Sequence, residues 1–191
     1  LLPVHILGLA CDMKSLLELA QQYHLWVVED AAEGMGVRYL GQHVGGWGHV
    51  GALSVNGNKV MTAGGGGMVV MKNQLGDARF ARYLTTQAKD DGLEYVHREV
   101  GYNYRLTNLQ AAVGLAQREQ LGDFLAQKQR IAAFYQAALT DLAELTLMPR
   151  TPHTEPAFWL YTVLLKPGTT VPERRAFIER LRAQGIEARP L

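Results

Sequence analysis

Apolar positions recur along this chain with two periods, and the alternation between them sets the elements. Residues 4–7 and 25–29 read as short apolar strands. Between them, residues 13–23 carry Leu16, Leu17, Leu19 and Ala20 at helical spacing behind Asp12, a helix-capping residue. Strand, helix, strand in that order implies a parallel pair with a right-handed crossover. Residues 30–36 should form a turn and first helical turn, 39–44 a short extended piece, and Gly45 to Gly48 a loop. Residues 51–55 and 68–71 read as strands, the second a wholly apolar run of the buried type. Asn73 should cap a helix reaching about residue 84, and residues 85–104 form a long connection of the kind that often carries function. Helices are predicted over 106–121 and 123–142, followed by a polar, Pro-containing link at 151–156 and a strand at 158–165. Pro172 at the first helical position starts a helix ending near Gln184 and Gly185, and 186–189 begins another strand. The pattern predicts an α/β chain with a mostly parallel sheet in its first part and a small α+β domain in its last.

Composition narrows this picture. The chain has 191 residues, enough for an ordinary core, and a formal net charge of +1, which argues for neither a nucleic acid nor an acidic membrane surface. Cys11 is the single cysteine, so no internal disulfide can form, and a reducing, cytoplasmic setting fits. No apolar run is long enough to span a bilayer, and Leu1-Leu2-Pro3 lacks the basic start of a signal peptide.

Candidate chemistry gathers around Lys59. It follows Asn56-Gly57-Asn58, and four consecutive glycines, Gly64 to Gly67, lie just beyond it. Backbone without Cβ can turn sharply and let a flat ligand approach. A partly desolvated lysine amine beside such a loop is a potential nucleophile, while an exposed lysine in a Gly-rich hairpin is an equally good account of this stretch alone. Asp30 ends an apolar strand, where parallel α/β sheets place ligands; it could equally cap the helical turn after it. The glycine loop lacks the Lys-Ser/Thr ending of a phosphate-binding P-loop. His43, His49 and His97 show no metal-ligand spacing, so no metal is expected. His5 reads as a core histidine.

Four blocks in order, VVEDAAEGMG, LSVNGNKVMTAGGGGMVV, YLTTQAKDD and GYNYRLTNLQAAVGLAQ, resemble the DegT/StrS group of nucleotide-sugar aminotransferases, which are pyridoxal 5′-phosphate (PLP) enzymes of fold type I. The likeness runs from residue 3 to about residue 139 and continues faintly to the end. It implies a fragment of a fold-type-I PLP aminotransferase. Residues 1–121 would be the later portion of the large PLP-binding domain, and residues 122–191 a linking long helix and the start of the small C-terminal domain. Members of the group are roughly twice as long as this chain, so an internal piece, inactive by itself, is expected.

The resemblance also assigns roles. Lys59 would be the catalytic lysine, joined to the PLP aldehyde and then acting as general acid and base. Asp30 would face the ring nitrogen, leaving its neighbour Glu29 without a role. Glu33 would lie close to the ring, Ser54 would donate to the phosphate, and Asn103 would reach the phosphate held by a second subunit, making a homodimer with shared sites. Val55 replaces the usual aromatic, and Ala63-Gly64-Gly65 departs from the common Thr-Gly-Glu pattern. The implied reaction moves an amino group from glutamate to a nucleotide-linked 4-keto-6-deoxy sugar for bacterial surface glycans. The blocks look most like UDP-sugar 4-aminotransferases of legionaminic acid or bacillosamine-type routes. Other keto sugars, a cyclitol, or a non-catalytic sugar-nucleotide-binding homologue are the alternatives. The dehydratases of the group carry histidine at the lysine position, so Lys59 argues against them.

Overall fold

The computed structural model describes residues 1–72 and 75–191. In chain order the elements are α1 (Met13–Gln22), β1 (Val28–Asp30), β2 (Arg38–Tyr39), β3 (Gln42–His43), β4 (Val50–Ser54), β5 (Gly67–Met71), α2 (Leu75–Thr85), α3 (Asn108–Glu119), α4 (Leu121–Leu139), β6 (Leu145–Leu147), β7 (Thr154–Glu155), β8 (Val163–Leu165) and α5 (Val171–Ala183). They divide into two compact units, Leu1–Ile131 with Arg150–Leu160, and Ala132–Pro149 with Tyr161–Leu191.

In the first unit β1 runs parallel to β4, with Asp30 opposite Ala52, and β5 runs antiparallel on the far side of β4, with Ser54 opposite Gly67. The α/β expectation holds, with a mixed sheet. The hairpin of β2 and β3 takes β7 as a third strand. Helix α1 forms where its pattern requires: Asp12 Oδ1 accepts from the Ser15 amide, and Met13 and Ala20 are buried against Val27, Ala31, Val37 and Val44. In the second unit β6 and β8 pair antiparallel, and the Tyr135 and Tyr161 rings stack 5.0 Å apart. Thr170 caps α5 in a capping box with Glu173, so Pro172 takes the second helical position rather than the first.

Several expectations are corrected. Residues 4–7 are not a strand: Val4 makes one parallel bridge to Asp30, and the chain then tightens into a 3-10 turn over Ile6–Gly8 with Leu7 at φ 58°. The strand expected over 25–29 begins only at Val28. β5 is not buried; among the described residues it pairs with β4 alone, and Met68, Val69 and Val70 are exposed. The strand expected over 158–165 is confined to Val163–Leu165, while Ala157, Phe158 and Trp159 form a buried loop of the first unit. Residues 186–189 are not extended into a strand. The expected cap Asn73 lies outside the described residues.

Glu29, assigned no role from sequence, is the anchor of the first unit. Its side chain is fully buried. One carboxylate oxygen accepts from the Trp47 and Gly48 amides at 2.7 and 2.6 Å, and the other from the Gly45 amide at 2.7 Å and His5 Nε2 at 2.9 Å. The loop closes this tightly because Gly51, opposite Glu29, has no side chain; a Cβ there would collide with the Gly45 carbonyl. Burial pushes the Glu29 carboxyl up, but the bonds from His5, Gly48, Gly45 and Trp47 outweigh it and hold the acid below its ordinary value of 4.5. Burial alone would push the His5 imidazole down; hydrogen bonding to Cys11 and Glu29 outweighs it and brings the ring up to about 9. His5 Nδ1 also accepts the Cys11 amide at 3.2 Å, which is the arrangement of a singly protonated ring. A second proton therefore requires that amide to turn away; with the ring singly protonated, His5 Nε2 still donates to Glu29 beside the Gly48, Gly45 and Trp47 amides.

Removing this acid strands buried donors. Glu29→Ala should cost about 3–5 kcal/mol in urea unfolding. Because the folded-state value lies below the unfolded one, Glu29 adds stability above pH 4.5 that is lost as pH falls below it. Wild type should therefore lose more stability on acidification than Glu29→Gln; equal losses would show that the carboxylate charge is not held by these donors.

Candidate active site

The loop after β4 is braced at its ends and presents one lysine near its tip. Val55 donates to the Gly66 carbonyl at 3.0 Å, and Ala63 to the Val55 carbonyl at 2.8 Å. Thr62 Oγ1 accepts from the Gly64 amide at 2.8 Å. Gly64 and Gly66 hold φ of 79° and 86°, a region that side-chain-bearing residues rarely enter. Inside these ties the Lys59 amide donates to the Asn56 carbonyl at 3.1 Å, and the Asn56 amide to Ser54 Oγ at 3.3 Å. The loop thus turns Lys59 inward, leaving its side chain 13 % exposed.

Two groups meet the amine. Glu33 Oε1, from the turn after β1, lies 3.6 Å from Lys59 Nζ. The Leu7 amide donates to the other oxygen, Oε2, at 2.7 Å, so the 3-10 turn aims this carboxylate. The Trp159 ring covers the amine at 4.2 Å from its centroid, and Trp159 Nε1 donates to the Asn58 carbonyl at 2.7 Å.

The remaining sequence candidates fall in two places. Asp30 and Ser54 end the parallel neighbours β1 and β4. Asp30 pairs with Ala52, and Ser54 is two residues beyond Ala52, so alternation puts both on one face of the sheet, opposite to Glu29. Asp30 Oδ1 accepts from the Ala32 amide at 3.0 Å. Asn103 is apart from these. It lies exposed between α2 and α3, its backbone bridged to Thr86, its Oδ1 accepting from Arg105 Nε at 3.2 Å, and its flanking Tyr102 and Tyr104 rings stacked at 5.1 Å. The structure brings Lys59 and Glu33 together, sets Asp30 and Ser54 on a shared edge, and places Asn103 in contact with none of the four among the described residues.

Sequence reasoning missed Trp159. It lies 101 positions from Asn58, in a segment that reads as a strand, and no local pattern ties it to Lys59. The histidines are structural: His43 Nε2 accepts from the Gly36 amide, His49 Nδ1 from the Val27 amide, and His97 Nδ1 contacts the Gln87 carbonyl. Among the described residues no cluster of His, Cys, Asp or Glu could hold a metal ion, and no helix is long and apolar enough to cross a membrane.

As a donor set these residues fit a flat aldehyde with a basic ring nitrogen and a phosphate. An inward amine matches the aldehyde, a strand-end carboxylate the nitrogen, and a strand-end hydroxyl the phosphate. The space beside Gly64 is open, with nothing within 4 Å of where a Cβ would stand.

The α/β architecture of this chain matches that of fold-type-I PLP aminotransferases. The sequence model of the DegT/DnrJ/EryC1/StrS aminotransferase family matches residues 1–191, and the chain belongs to that family. It is 40 % identical over 192 residues to GDP-perosamine synthase of Caulobacter vibrioides, covering 100 % of this chain and 51 % of that protein. It is 37 % identical over 193 residues to GDP-perosamine synthase of Escherichia coli O157:H7, covering 98 % and 50 %. Among solved structures, DesV of S. venezuelae in complex with a ketimine intermediate superposes with a TM-score of 0.86 at 33 % identity, covering 97 % of this chain and 48 % of that one. The chain spans about half the length of the curated relatives it matches.

Glu33 bridges the Leu7 amide and Lys59, so its truncation should be felt in stability. Glu33→Ala is expected to cost about 1–3 kcal/mol in urea unfolding. Glu33→Gln, which keeps an acceptor for the Leu7 amide, should cost clearly less; equal costs would show that the Leu7 bond contributes nothing.

Proposed function

We propose that the protein containing this chain is a PLP-dependent aminotransferase that moves an amino group from glutamate to a nucleotide-linked 4-keto-6-deoxy sugar. The observation that carries this reading is the Lys59 amine, turned inward and flanked by the Glu33 carboxylate and the Trp159 ring. The names of the relatives, synthases of GDP-perosamine, support a nucleotide-sugar substrate. The UDP-sugar routes to legionaminic acid or bacillosamine-type sugars remain a narrower proposal, carried only by the sequence blocks.

When bound, PLP supplies an electron-poor ring that accepts the electrons of a C–H bond broken beside the transferred nitrogen. Every other task falls to the chain. Lys59 Nζ would hold the cofactor through its aldehyde and would be freed by the incoming amino donor. The freed amine would take the proton from Cα of glutamate and give it up to the cofactor carbon that carried the aldehyde; in the second half-reaction it would move one from that carbon to the sugar carbon that bore the ketone. Glu33 gives the freed ammonium a counter-charge and keeps it in place. Asp30 would hold a proton on the ring nitrogen, which would keep the ring electron-poor. Ser54 Oγ donates to the phosphate. Asn103 donates to the phosphate in the site of a partner copy, which makes the dimer the working unit; its exposure outside the Lys59 site supports this.

Borohydride reduction of the PLP-loaded protein should bleach a yellow absorbance band and leave the cofactor mass on the peptide containing Lys59. Lys59→Ala should lose this adduct and lower transamination by roughly 10²–10⁴-fold. A wild-type protein without the band, or a Lys59→Ala variant with full turnover, rules the enzyme reading out. Substrate is tested with a panel of GDP-, UDP- and dTDP-linked 4-keto sugars and glutamate, scored by mass of the amino-sugar product.

The shared site has its own test. Lys59→Ala and Asn103→Ala proteins, each inactive, should regain activity when mixed and allowed to exchange subunits. One site of each mixed dimer then holds both native residues. No recovery in proven mixed dimers means that Asn103 serves its own subunit.

A further inference from the structure

Trp159 grips Lys59 at both ends of that residue. Its Nε1–H bonds the Asn58 carbonyl at 2.7 Å, which fixes the peptide unit entering Lys59, while its ring face stands 4.2 Å from the Lys59 amine. The indole is itself held rigidly. The residue is 6 % exposed, Lys128 Nζ donates to its backbone carbonyl at 2.9 Å, and Gln129 Nε2 donates to the Pro156 carbonyl. The Ala157 amide donates to the Gly8 carbonyl at 2.9 Å. Phe158, just before it, holds φ of 47°, a strained region for a bulky aromatic residue. Backbone strain of this kind persists only where surrounding structure over-determines it, and here it turns the next side chain toward the lysine loop.

We propose that Trp159 is a positioning residue for Lys59: its ring face seats the amine and its N–H locks the peptide before it, so that the lysine returns to one place whenever it is free. A lysine side chain has four rotatable bonds, and a proton relay needs its nitrogen at a defined point at each transfer. The aromatic face attracts the ammonium and still lets it leave, because the attraction is non-covalent and has no counter-proton to exchange. The catalytic consequence rests on the reading of Lys59 as the cofactor-bearing lysine; the grip itself does not.

The experiment therefore has two arms. In cofactor-free protein, acylation of each lysine by acetic anhydride at fixed pH is followed by peptide mass spectrometry. Trp159→Ala should raise labelling at Lys59 about 10-fold relative to the other lysines, and Trp159→Phe, which keeps a ring face, should stay within about 3-fold of wild type. In PLP-loaded protein, Trp159→Ala should lower kcat by about 10²-fold with the KM for glutamate little changed, and Trp159→Phe should recover most of that loss. Wild-type labelling of Lys59 in Trp159→Ala overturns the proposal. So does a uniform rise at all lysines in both variants, which would mark a purely structural tryptophan. If labelling changes as expected but the protein never binds PLP, the proposed function fails while the grip stands.

Discussion

Glu29 enters the core as a fully buried acid, and four donors converge on its two oxygens. An isolated buried carboxylate would cost several kcal/mol, so the acid is tolerable only if those donors stay in place. That requirement ties three segments together: the entering chain through His5, strand β1, and the loop of residues 45–48. Glycine at 51 is a consequence, because the loop can reach the acid only where β4 has no side chain. Strand alternation then does the rest. With Glu29 committed to the interior, Asp30 faces the other way, toward the edge it shares with Ser54.

The site is assembled from separate segments on this frame. The turn after β1 brings Glu33, the braced loop after β4 brings Lys59, and a buried loop from residues 156–160 brings Trp159. Neither contact to the amine suffices alone. A part-exposed ion pair at 3.6 Å contributes about 0–1 kcal/mol, and a covered cation–π contact about 1–2 kcal/mol. Ordering a lysine side chain costs about 2 kcal/mol of rotamer entropy, so the two contacts together are what hold it. The arrangement leaves a nitrogen that is placed but not trapped.

Much of the fold was legible where a signal is local. Asp12 caps α1, and Leu16, Leu17 and Ala20 of the predicted stripe pack inward while Leu19 stays exposed; capping and helical spacing involve residues within a turn of one another. Failures occurred where burial depends on distant chain. The apolar run at 68–71 has the composition of a core strand yet pairs on one side only. Residues 4–7 look extended, but His5 must meet Glu29, and the chain bends into a tight turn to allow it. Residues 158–165 divide because Trp159 is drawn to Asn58 while Val163 pairs with Leu147.

The candidate site divides along the same line. Sequence by itself marked the lysine beside its glycines, the acid at a strand end and the serine before the loop, since residue type and order suffice to write those motifs. The family followed from four blocks in order. Only the tertiary structure decided that Glu29, left without a role by the sequence, anchors the sheet, that Glu33 faces the amine, and that a tryptophan 100 positions later covers it. Those are contacts between segments far apart in the chain. Their free energy comes from buried donors finding a carboxylate and an aromatic face finding a cation, and neither partner carries a local mark of the other.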